Sequence, residues 1–333
     1  MILTILIMLF SALLIYFSCE FFVNGIEWVG KAFKISQSAV GSVLAAFGTA
    51  LPESIVTFIA VVFGTNLKQK DIGIGAALGG PLVLSTIAYA VVGIGIFVFC
   101  NKRKFGECIK CDGKKLARDQ AWFMWIFVFK IALGLIAFTV KPLLGILFLI
   151  AYGIYFYREM SADNNEIAED LEPLKISPKN VQPKKLLILT QTIGALILIF
   201  IGSQLFVNNL GTLSISLGMA PHMVSLLLSP VATELPETLN AIIWVRQGKE
   251  KLALSNISGS MMIQATVPSS LGIMFTPWLL DKYLIISAIV TFVAIFSLWV
   301  CLKRNRLSDK RLAFNGIFYI VFIIAIIGEK ALI

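Results

Sequence analysis

Charged side chains are scarce: Asp, Glu, Lys and Arg make up 14% of the 333 residues, where a soluble domain carries about a quarter. The deficit excludes an ordinary water-soluble globule. Histidine is rarer still. With His222 alone, no H-E-x-x-H zinc protease can be assembled, and no nucleophile–base pair stands in the apolar runs. No glycine-rich segment ends in the Lys-Ser/Thr of a Walker A loop, so ATP is not a direct energy source. An enzyme is not expected, nor a bound cofactor. The alternating polarity of barrel strands is missing. The net charge of +9 is not gathered in a domain interleaved with aromatics, so nucleic acid is not an expected partner. Cys108 and Cys111 form one C-x-x-C with Cys100 nearby, but a structural zinc site wants four ligands. Reduced thiols are the default of the cytosol. Met1–Cys19 has no charged side chain and lacks the basic start of a secretory signal. "YFSC" before Glu20 is a poor lipoprotein match.

What is abundant is hydrophobicity, at 58% of residues. Apolar runs of about 18 or more residues read as membrane spans, and they recur along the whole length. Ten are expected, near 2–30, 36–63, 72–99, 119–139, 142–157, 185–212, 220–245, 252–277, 283–301 and 312–329. The division at Lys141 and Pro142 is the least marked. With ten spans, 22 of the 28 Lys and Arg residues fall in the connections on one side. The other side holds Lys68, Lys70, Lys141, Lys282 and Lys330, and Lys130 falls within a span. The positive-inside rule puts the basic connections in the cytoplasm and both termini outside it. The basic excess is therefore a matter of topology in a lipid bilayer, and the loop 101–118 is a cytoplasmic anchor.

The chain is written twice. Under a shift of 184, Phe22-Val23-Asn24 falls on Phe206-Val207-Asn208, Thr49 on Thr233, and Leu51-Pro52-Glu53 on Leu235-Pro236-Glu237. Under a shift of 180, "GIGAALGG" at 73–80 falls on "ALSNISGS" at 253–260. Five spans precede the second copy. An odd number inverts it, giving the inverted repeats of many secondary transporters, whose sites lie at mid-bilayer where the repeats meet. The expected fold is an all-α polytopic membrane protein of ten transmembrane helices in two inverted five-helix repeats, with helices broken near mid-membrane. Residues 1–157 form the first repeat, 185–333 the second, and 158–184 a polar cytoplasmic linker without the glycine turn of an EF-hand.

Proline inside a helix removes a donor and clashes with the preceding turn, so carbonyls near 45–49 and 229–233 lose their partners. A carboxylate at the bilayer centre costs about 3 kcal/mol or more. Glu53 and Glu237 each follow such a proline, and symmetry brings both towards one site. Two carboxylates alone repel; a divalent cation, or two monovalent ones, neutralises them. Calcium takes six to eight oxygens, and Thr49, Thr233, Ser260, Gln264 and the freed carbonyls are candidates for the rest. Glu234 adds a third carboxyl, which would leave one of the three holding a proton at neutral pH and make protons a candidate coupling ion. Gly73, Gly75, Ala76, Ala77, Gly79 and Gly80 suit close helix packing. Asn24, Asn208, Thr190, Gln191 and Thr192 are expected to bridge helices.

At these residues the chain resembles the calcium/cation antiporter superfamily, which includes the sodium/calcium exchangers. In that family each repeat carries G-[ST]-[ST]-x-P-E followed by G-N-x-x-G-S-N. The resemblance implies ten spans, inverted repeats, and calcium and sodium bound in alternation. It carries cation-ligand roles onto Thr49 and Glu53, onto Thr233 and Glu237, and onto Ser260 and Asn256. The chain departs from the pattern at Ala50 and Glu234, each in a hydroxyl position, and at Ala76 and Gly80, where the first copy loses its asparagine and serine. Leu84 and Gln264 stand where the family often has Asn or Asp. The implied activity is a secondary cation antiporter, exchanging calcium or a related cation for sodium or protons by alternating access, with spans 1 and 6 moving against spans 2, 3, 7 and 8. The alternative is a transport-inactive sensor or scaffold that keeps the fold.

Overall fold

The computed structural model describes residues 2–63, 67–100, 109, 111–136, 140–161, 171–180, 182–216, 226, 230 and 233–331. Cys108, His222 and the acidic stretch 162–170 lie outside the described residues. All regular structure among the described residues is helical, as a bilayer demands of a chain whose backbone groups must be satisfied without water. The helices are α1 (Ile2–Phe33), α2 (Gln37–Ala39), a π-helical turn Val40–Ala45, α3 (Ala46–Val62), α4 (Leu67–Val83), a second π-helical turn Leu84–Ala88, α5 (Tyr89–Val98), α6 (Gly113–Leu135), α7 (Lys141–Met160), α8 (Lys185–Ser216), α9 (Leu235–Arg246), α10 (Glu250–Phe275), α11 (Lys282–Lys303) and α12 (Asp309–Ala331).

Local chemistry sets several of these ends. The Asp112 carboxylate accepts from Lys115 N at 3.0 Å and starts α6. Asp281 accepts from Leu284 N at 2.9 Å and starts α11. Both are N-caps. Prolines open α7 and α9, where the missing N–H would have had no helical partner. Gly248 takes φ +74° and turns the chain between α9 and α10, a conformation that costs glycine little.

Six segments among the described residues are long and apolar enough to cross a membrane: Ile2–Phe33, Gly73–Val98, Lys141–Met160, Lys185–Phe206, Lys282–Lys303 and Asp309–Gly328. Ten were expected. The remaining four fall short for physical reasons. The π-helical turn before α3 leaves a helix of 17 residues. Helix α6 carries Lys114, Lys115, Arg118, Asp119 and Lys130. Helix α10 is rich in Ser, Asn, Gln and Thr. Much of 217–232 is outside the described residues.

The expected helix breaks take two forms. In the second copy the helix restarts at Leu235, with Glu234 at its N-cap. In the first copy α3 runs through the Pro-Glu pair, and the irregularity is the π-helical turn ahead of it. Pro81 lies inside α4, directly before the second π-helical turn. Such turns mark local distortion of the helical ladder and often sit at functional sites.

Two packing units organise the molecule. Helices α1 and α8 form the most extensive pair, brought close where Gly25 meets Thr192 and Gly202 meets Ile15. Helix α10 is the hub and packs against α3, α4, α6, α7 and α9. A Cβ at Gly259 would strike the backbone of Ser42, so α10 and the first π-helical turn cross at backbone contact. Outward faces of α1, α7, α8 and α12 expose Leu6, Phe10, Leu147, Ile150, Ile197 and Ile324, the apolar surface that lipid tails cover.

The segment 171–180 is mostly exposed but is anchored at a few points. Leu174 is fully buried, Trp28 Nε1 donates to Glu172 O at 3.0 Å, and Lys175 N donates to the Asn24 side chain at 3.1 Å. Asn24 and Gln191 do bridge helices, Gln191 Nε2 reaching Asn24 Oδ1 and Phe21 O, each at 2.9 Å. Thr190 and Thr192 do not. Their hydroxyls turn back onto Leu186 O and Ile188 O of their own helix, and Asn208 is exposed. At the end of α7, Glu159 pairs with Lys115 and Arg118, each at 2.6 Å, and accepts from Ser42 Oγ at 2.9 Å. That buried network joins α6, α7 and the first π-helical turn.

Candidate functional site

Two helices each present a polar stripe with the four-residue repeat of a helix face, and the start of a third adds a polar cluster. Helix α3 supplies Thr49, Glu53 and Thr57, and α10 supplies Asn256, Ser260 and Gln264; all six are buried. The start of α9 supplies Thr233, Glu234, Glu237 and Asn240, also buried. These stripes face one another because the helices are adjacent, α10 lying against both α3 and α9.

The contacts fall into two linked groups. In the first, the Glu53 and Glu234 carboxyls stand against each other, and Gln264 Nε2 donates to Glu234 Oε1 at 2.7 Å. In the second, Glu237 faces the hydroxyls of Thr49 and Ser260. Two backbone carbonyls ahead of the Pro-Glu pairs accept hydroxyls, and Pro230 O also keeps its backbone bond from Glu234 N at 2.9 Å. Thr49 Oγ1 donates to Ala45 O at 3.1 Å, and Thr233 Oγ1 to Pro230 O at 3.2 Å. Donating leaves each hydroxyl oxygen with lone pairs to offer.

Among the described residues, several buried oxygens have no hydrogen-bond partner: both of Glu53, both of Glu237, Oε2 of Glu234, Oε1 of Gln264 and Oγ of Ser260. Each uncompensated buried polar group costs about 1–3 kcal/mol, and a charged one more. A set this dense is not explained by folding alone. No three His, Cys, Asp or Glu side chains among the described residues close into a ready-made metal cage. The donors are instead a mixture of carboxylate, amide and hydroxyl oxygens, the hard set that suits calcium or sodium.

Gly80 has a specific part in this geometry. A Cβ placed there would lie 2.7 Å from Glu53 Oε2, 2.8 Å from Gln264 Oε1, and closer still to Glu53 Oε1. The missing side chain on α4 is what lets the Glu53 carboxylate and the Gln264 amide share that space.

The chain matches the sodium/calcium exchanger protein family over residues 3–160 and 187–328. It belongs to that family. This exchanger-family chain is 24% identical over 267 residues to an uncharacterized membrane protein of Methanocaldococcus jannaschii, with 80% of each chain covered. It is 24% identical over 345 aligned residues to CaxA of Alkalimonas amylolytica, an antiporter by name, with 97% of this chain and 99% of CaxA covered. Its fold is similar to that of the sodium-calcium exchanger NCX_Mj, with a TM-score of 0.76 at 21% identity over 97% of this chain and 98% of that one. The family is one of transporters, not enzymes.

Within this exchanger-family fold, all eight residues singled out from the sequence are buried: Thr49, Glu53, Thr233, Glu234, Glu237, Asn256, Ser260 and Gln264. Asn256 shares the stripe of Ser260, and its side-chain atoms, like those of Asn240, are without hydrogen-bond partners among the described residues. Two neighbours were not anticipated. Asn240 lies three residues beyond Glu237 on the same helix, a spacing that could have flagged it. Lys130 of α6 is fully buried and acts by its charge on Glu53. The only sequence signal for it is a lone cation inside an apolar run.

Proposed function

We propose that the protein is a secondary-active cation antiporter that exchanges calcium, or a related cation, for sodium or protons by alternating access. The observation that carries this reading is the burial of Glu53, Glu234 and Glu237 with carboxylate oxygens that no protein donor satisfies. At about 3 kcal/mol or more per membrane-buried charge, such a group is a standing liability unless cations bind there. NCX_Mj is named a sodium-calcium exchanger and CaxA an antiporter, which supports the same class. Thr49, Thr233, Ser260, Gln264 and Asn256 complete the oxygen set around the carboxylates.

The topology that fits this activity is ten spans in two inverted repeats, 1–157 and 185–333, joined by the linker 158–184. The two blocks of family similarity flank that linker. Both termini face away from the cytoplasm. Helices α1 and α8 form one unit packed largely on each other; sliding of that pair against the body built around α10 opens the site to one side and then the other.

Uptake of radiolabelled calcium into vesicles containing the purified protein tests this reading. Uptake driven by an outwardly directed sodium or proton gradient supports it. Absence of flux under every gradient leaves the second reading, a transport-inactive sensor or scaffold, which the loss of side-chain oxygens at Ala76 and Gly80 favours. Glu234→Ser identifies the coupling ion. If protons compete at Glu234, the acid inhibition of calcium uptake weakens in the variant; an unchanged pH profile rejects proton participation.

A further inference from the structure

Lys130 is a buried cation that the exchange chemistry described above does not use. Lysine near a helix end normally reaches out to water, yet this side chain is completely enclosed. Its Nζ donates to Ala77 O at 3.2 Å and to Ser269 Oγ at 3.1 Å, and lies 4.9 Å from the centre of the Phe127 ring. Ser269 in turn donates to Gln264 O at 3.1 Å, and the Gln264 amide holds Glu234. A backbone carbonyl and a hydroxyl are ligands that a small monovalent cation would accept, and an aromatic face adds further attraction for a positive charge. The Lys130 backbone is also held, its carbonyl accepting from Trp278 Nε1 at 3.0 Å. Trp278 is itself fully buried.

The charge count gives this placement a consequence. With all three carboxyls ionised, as in the cation-loaded site, Glu53, Glu234 and Glu237 bring three negative charges, and a protonated Lys130 brings one positive charge from the adjoining helix. Two negative charges then remain, which one divalent cation or two monovalent ones neutralise.

Resting on the antiporter reading above, we propose that Lys130 is a tethered cation of the transport site. It holds a place that a monovalent ion would otherwise take, and it makes the exchange one divalent cation for two monovalent ones with no net charge moved.

The test uses wild-type, Lys130→Gln and Lys130→Arg proteins in vesicles whose membrane potential is clamped. The readout is equilibrium accumulation of radiolabelled calcium against a fixed sodium or proton gradient. For wild type, a 100 mV clamp leaves accumulation unchanged. If one net charge moved per cycle, the same clamp would change it about 50-fold. In Lys130→Gln, a further monovalent ion takes the vacated role, so the dependence of calcium uptake on the driving ion steepens by about one order. Lys130→Arg, which keeps the charge, retains the wild-type order. Potential-driven accumulation in wild type overturns the proposal, whether or not the variants fold. So does Lys130→Gln that transports with the wild-type order and no potential dependence, as a merely structural lysine would. Absence of any wild-type calcium flux is distinguishable from both, because it removes the antiporter reading itself and this assignment with it.

Discussion

Adding one methyl group at Gly80 tests how the carboxylates are seated. In Gly80→Ala, the new Cβ would stand 2.7 Å from Glu53 Oε2 and 2.8 Å from Gln264 Oε1. Non-bonded atoms settle at about 3.5–4.0 Å, so the carboxylate and the amide must each retreat by about 1 Å. Both are the ends of flexible side chains, so the stability cost is that of mild overpacking, about 1–3 kcal/mol. The effect on ions is larger. Glu53 moves out of register with Glu234, and Gln264 loosens its 2.7 Å bond to that residue. Disturbing the support of metal ligands costs about 10–100-fold in affinity. The assay is the calcium concentration giving half-maximal uptake, measured beside thermal unfolding without calcium. Gly202→Ala is the control, because its Cβ would stand 2.8 Å from Ile15 Cγ1 between α8 and α1, away from the carboxylates. It loses stability while keeping calcium affinity. A Gly80→Ala protein with wild-type affinity would refute the claim that the empty side of Gly80 seats Glu53.

Two further outcomes follow from groups outside the bilayer interior. Glu159→Gln removes the negative charge and one of the two acceptor oxygens shared by Lys115, Arg118 and Ser42; breaking a buried ion pair in this way costs about 3 kcal/mol or more, read as thermal unfolding in detergent, whereas a loss under about 0.5 kcal/mol would class the network with exposed pairs. Burial, then the nearby charges of Asp112 and Glu250, push the Cys111 thiol up to about 11. Its thiolate is therefore scarcer at neutral pH than that of an ordinary cysteine. Maleimide labelling of Cys111, followed in a protein whose other cysteines are replaced, is slow at pH 7 and accelerates as pH rises towards that value; rapid labelling at pH 7 would contradict the burial.

The all-helical, membrane-spanning class was readable because its main signal is coarse. Long apolar runs survive any local irregularity, and the match of Leu51-Pro52-Glu53 with Leu235-Pro236-Glu237 pairs the two halves without structural knowledge. The carboxylates were readable for a related reason, since a charge deep in an apolar run has few explanations. What escaped depends on where a side chain turns. Thr190 and Thr192 flank Gln191 and look equally able to bridge, yet only Gln191 is long enough to pass its own helix and reach Asn24. The charges of 158–184 gave no sign that its end, though mostly exposed, is anchored by Leu174 and by backbone bonds to Asn24 and Trp28. Gly80 looked like a lost ligand. Its value as space for Glu53 exists only once α3, α4 and α10 are packed together. Lys130 was visible as an anomaly, but its partners Ala77 and Ser269 lie 53 and 139 residues away in the chain.

The central claim is that acids from the two halves of the chain serve one buried cation site. Equilibrium binding of radiolabelled calcium to purified wild type, Glu53→Gln and Glu237→Gln tests it most directly. The account predicts one saturable site in wild type, lost in each single variant. Retention of calcium binding at wild-type affinity in either variant would show that the two carboxylates do not share an ion, and would contradict it.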